Sequence, residues 1–178
     1  MSDDTAATET PAAGRGGHRP GDEIAGHSGE LAVAAARAHG ADAIGVLATS
    51  PHLAANELTV LLDVLADRLL APGTGLLTCG EPDRMALATM QVLRRNVVSL
   101  KVLEPWINRI AAAASSLGNT QDRDPFLDSG NPQAFLRALY LQLSLAADPP
   151  QVRPDLILVL VEVLRGTNPH YLGPHHPA

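Results

Sequence analysis

Prolines set where a helix begins, rather than where it would break, restrict this chain more than any other feature. A proline in a first helical turn loses no hydrogen bond, because the N–H it lacks would be unpaired there. Ser50-Pro51 reads as an N-cap and first position, and Glu81-Pro82-Asp83 combines proline with acids in a first turn. Asn131-Pro132 and Arg153-Pro154-Asp155 repeat the arrangement, marking four helix starts. A fifth start is expected at Ser28, ahead of Leu31 to Ala38, with a stop at Gly40.

Apolar spacing fills in the elements. From Pro51 to Leu70, the residues Leu58, Leu61, Leu62, Leu65 and Leu69 recur at intervals that share one helical face. Val60 and Val64 fall off that stripe, so the apolar arc is wide enough for more than one neighbour; Asn56, Asp63 and Asp67 leave a narrow wet edge. After Pro82 the helical pattern runs through Ala86, Met90, Leu93 and Val97, with a kink or restart expected between Asn96 and Pro105. Leu103, Ile107, Ile110, Ala114 and Leu117 form a fresh stripe closed by Gly118-Asn119, and Pro132 to Ala147 buries Leu136, Leu139, Leu143 and Ala146. The run Leu156 to Leu164 is apolar on both faces except at Glu162, so its period fits either a buried central helix or a strand. Opened by Pro154 and closed by Gly166, it reads as the helix. Ala43 to Ala48 is open in type and leads towards the second helix.

Composition agrees with a helical reading. Apolar residues make up 46% of the 178, yet aromatics only 3%, so Ala and Leu supply a core that suits packed helices better than a sandwich or barrel. The expected fold is all-α, a bundle of about five to six helices in one domain over 27–165. Residues 1–26, rich in Thr, Ala, Gly, Pro and Asp, read as a disordered arm, and 166–178 as an irregular tail holding histidine and proline.

Charge and motifs exclude several kinds of chemistry. The net charge is -6 and the single lysine and scattered arginines make no basic stripe, so nucleic acid is not an expected partner. One cysteine, Cys79, allows no internal disulfide and suits a reducing compartment, with the cytoplasm expected. Met1 to Arg19 has no apolar signal region, and no run approaches the roughly 20 apolar residues that span a bilayer. Phosphate-binding glycine loops, His-Glu-x-x-His and Cys-x-x-Cys pairs are absent.

Weaker candidates remain. Cys79, just ahead of a helix start, reads as a small buried residue at a turn before it reads as a nucleophile, since Glu81 opposes a thiolate. His170, His175 and His176 are weak metal candidates without a carboxylate or thiol beside them. Asp122, Asp124 and Asp128 do not match a calcium loop and read as a solvated turn with a cap. Trp106 fits either an interface anchor or a half-buried core position.

No catalytic, cofactor-binding or definite metal residue is assigned, and no cofactor is expected. The expectation is a non-catalytic interaction or scaffold subunit that self-associates or docks on a larger assembly through Leu58, Leu61, Leu62, Leu65, Leu69, Trp106 and Tyr140. A carrier holding an apolar small molecule between Met85, Met90, Phe135 and Tyr140 is the first alternative, and an enzyme of unknown class the second.

Overall fold

The computed structural model describes residues 39–72, 75–115, 124 and 126–172. Among these every regular element is a helix: α1 (39–48), α2 (Ala55–Leu70), α3 (Glu81–Arg94), α4 (Leu100–Ser115), α5 (Phe126–Leu145), α6 (Arg153–Thr167) and the short α7 (Pro169–Leu172).

Two of the four proline signals work as read. Pro82 and Pro154 lie in the first turns of α3 and α6, each beside an acid that suits the positive end of the helix. Pro51 instead sits in a turn, and α2 starts at Ala55, where the Glu57 carboxylate reaches back to accept the Ala54 N–H at 3.0 Å. Pro132 lies inside α5, which begins six residues earlier; Asp124 opens that helix, its Oδ1 accepting the Phe126 N–H at 2.9 Å. A proline there forfeits one ladder bond, and the buried sides of α5 outweigh that loss. The restart expected at 96–105 occurs at its beginning. Asn96, at φ 55°, closes α3 in the left-handed conformation that asparagine tolerates, and α4 then runs through Pro105.

Gly40 does not stop a helix but lies within α1, which also contains Ala43 to Ala48. The start expected at Ser28 and the arm over 1–26 lie outside the described residues.

Helix α5 is the centre of the bundle and touches α2, α3, α4 and α6. Its Phe135, Leu136, Leu139 and Leu143 are fully buried against Leu58 and Leu62 of α2, Met90 of α3, and Ile107 and Ile110 of α4 within one continuous core. Each such side chain contributes about 1.5–3 kcal/mol by leaving water. Trp106 meets Phe135 edge to face, with ring centroids 5.9 Å apart, and its indole N–H donates to the Leu62 carbonyl at 2.9 Å.

The segment 156–164 is a helix, as expected, but it is not central. Only Leu156, Leu160 and Leu164 are buried, one per turn, because α6 lies across α4 and α5 on one side, with the short α7 at its end; Leu158, on the far side, is 69% exposed. Gly166 does not end it. The helix continues to Thr167, and buried Asn168 closes it by donating both its N–H and its Nδ2 to the Leu164 carbonyl, at 3.1 and 3.0 Å. The irregular tail expected from residue 166 is therefore helical through 172, apart from the break at Asn168.

Candidate functional site

The leucine stripe of α2 is interior. Leu58, Leu62, Leu65 and Leu69 are buried in the core, Leu61 and Tyr140 pack partly buried against it, and Trp106 is buried with its N–H satisfied. The expectation that these residues form an exterior interface is corrected for the buried ones: α3, α4 and α5 already cover the stripe. Met85, Met90 and Phe135 are equally buried and line neither of the two grooves described below, so they behave as ordinary core.

Aliphatic side chains reach solvent elsewhere. On α5, Leu141 is 54% and Leu145 75% exposed, one helical turn apart. Hydrogen bonds on either side fix where they emerge. Gln142 Nε2 donates to the Asp83 carbonyl of α3 at 2.9 Å, while the Arg153 guanidinium of α6 donates to the Ser144 carbonyl at 2.7 Å and Arg137 bonds Asn168 beyond the end of α6. Leu141 and Leu145 thus lie along a valley between α3 and α6, with Leu158 on the outer face of α6.

Two grooves accompany the valley. One, of about 250 Å³, runs between α1 and α3, where Gly45 faces Ala88, and is bordered by the Arg84–Asp42 ion pair at 2.7 Å. The other, of about 410 Å³, lies between α4 and α6, with Glu104 and Glu162 above Ala111, Ala112 and Gly166. Neither contains a histidine or cysteine, and neither brings a nucleophile, base and orienting group together.

The remaining candidates do not converge. Cys79 is exposed, not buried as expected, because its turn faces solvent; its N–H donates to the buried Glu81 carboxylate at 2.7 Å. Asp124 caps α5, and Asp122, His175 and His176 lie outside the described residues, while the His170 backbone falls in α7. Among the described residues no three His, Cys, Asp or Glu side chains are grouped to hold a metal ion, and no helix is long and apolar enough to cross a membrane.

Sequence reasoning missed the polar residues that hold the valley and its supports in place. Buried Asn131 accepts the Leu77 N–H at 2.8 Å and donates to the Gly75 carbonyl at 3.0 Å, tying the approach to α3 onto α5. Arg95 donates to the carbonyls of Ala48, Ser50 and Leu53, gathering the link between α1 and α2 around one guanidinium. Each partner lies more than forty positions away in the chain, so no local pattern marks them.

A family described as a protein of unknown function, DUF2785, matches residues 23–141. The chain belongs to this family. The match takes in α1 to α4 and most of α5, ending at Leu141, so α6 lies beyond it. Neither curated proteins nor solved structures yielded a match to the chain.

Proposed function

We propose that this family member is a non-catalytic helical interaction subunit that docks on a protein partner through the valley between α3 and α6. The supporting observation is the exposure of Leu141 and Leu145 after the core has been completed without them. Single exposed aliphatics are common on any protein, but two at consecutive turns of the central helix form a strip suited to an apolar partner face. The flanking hydrogen bonds hold the strip rigid before contact, which lowers the ordering cost of association.

The test is native mass spectrometry of the tagged protein purified from its source, wild type beside the L141E/L145E variant. A stoichiometric protein partner carried by the wild type and lost by the variant is the expected result. A wild type that travels with no protein partner, or a partner retained by the variant, overturns the proposal.

A further inference from the structure

Helix α2 carries a second exposed strip on the side away from the core. Glu57, Val60, Leu61, Val64 and Arg68 stand three, four, seven and eleven positions along from the first, which sets them on one helical face. Val60 is 59% and Val64 47% exposed, Leu61 is partly buried, and the two charged residues are exposed. The acids on the adjoining edge are already engaged within the chain, since Asp63 and Asp67 both meet Arg109 of α4. The Arg68 side chain makes no hydrogen bond or ion pair among the described residues, and the Glu57 carboxylate bonds only the backbone N–H of Ala54.

Four of these five positions, Glu57, Leu61, Val64 and Arg68, are their own complement when reversed, while Val60 mirrors the buried Leu65 and stands beside the pairs. A two-fold axis passing between residues 62 and 63 sets Glu57 opposite Arg68 of a second copy and Leu61 opposite Val64, and the symmetry makes each pairing twice. We infer that the outer face of α2 is a self-association surface whose occupant is the same helix of a second copy, packed antiparallel. An acid and a base that lack an ion-pair partner within the chain stand at mirrored positions about an apolar centre, which is the self-complementary arrangement of an isologous contact. The apolar pairs supply the attraction and the terminal charge pairs fix the register over about 16 Å of helix. One helix face is smaller than the roughly 800 Å² per partner of a standard interface, so the association belongs in the micromolar range. The inference does not depend on the valley of α5.

Sedimentation velocity on the full chain, from about 1 to 200 μM, tests it. The wild type is expected to pass from monomer to dimer across that range. V64E, at an exposed position, is expected to keep the helical circular dichroism and remain monomeric. E57R and R68E each set like charges together at both ends and are expected to weaken dimerisation about tenfold. An equimolar mixture of E57R and R68E pairs opposite charges again and is expected to recover the wild-type association. A wild type that stays monomeric throughout, a dimer unaffected by V64E, or a mixture no more associated than its components overturns the inference. None of these outcomes bears on the valley, whose variant L141E/L145E is expected to dimerise as the wild type does.

Discussion

Asn131 has both ends of its side-chain amide satisfied inside the protein, by the Leu77 N–H and the Gly75 carbonyl. Asn131→Ala leaves a donor and an acceptor without partners at a part-buried site, and is expected to cost about 1–3 kcal/mol. The loss is read as a lower urea midpoint at unchanged slope. The Asn-Pro pair was legible as a helix signal but not as this clamp, because a cap and a buried tether look alike until a loop over fifty positions away arrives against them. Gly45 offers the opposite test. A Cβ added there meets the Ala88 Cα at 3.6 Å, an ordinary contact, so Gly45→Ala is expected to gain about 0.5–1 kcal/mol from the reduced freedom of the unfolded chain. Thermal unfolding checks it, and Gly45→Leu, which overfills the approach between α1 and α3, is expected to lower the midpoint.

Helix α6 shows how much of an element can be read from spacing alone. Its existence followed from Pro154 at one end and the apolar run behind it, but its place did not, since Leu158, Val161 and Val163 look as buriable in sequence as Leu156, Leu160 and Leu164. Which face turns inward is decided by α4 and α5, and they present a single shallow seat. Leu160→Ala is accordingly expected to cost about 2–5 kcal/mol, while Leu158→Ala stays within about 0.5 kcal/mol, a contrast that paired urea titrations of the two variants measure directly. The same reasoning explains α2. Its five leucines were correctly seen as one stripe, and Val60 and Val64 as lying off it, but sequence could not show that the stripe is consumed internally while the valines stay in water.

At the scale of the whole molecule, an all-helical bundle was legible in low aromatic content and helical spacing, whereas the surfaces that meet partners depend on what the core leaves over. The two surfaces proposed above lie on different helices, α2 and the α3–α6 valley, so neither proposal excludes the other. The central position of α5 has a further consequence for biosynthesis. The helix that seals the interior is made well after α2, and Leu58, Leu62 and Leu65 must wait for it, at ordinary elongation rates, on the order of ten seconds. During that interval these leucines lack the lid that the finished bundle gives them, so the emerging chain carries apolar surface that is open to aggregation until α5 arrives.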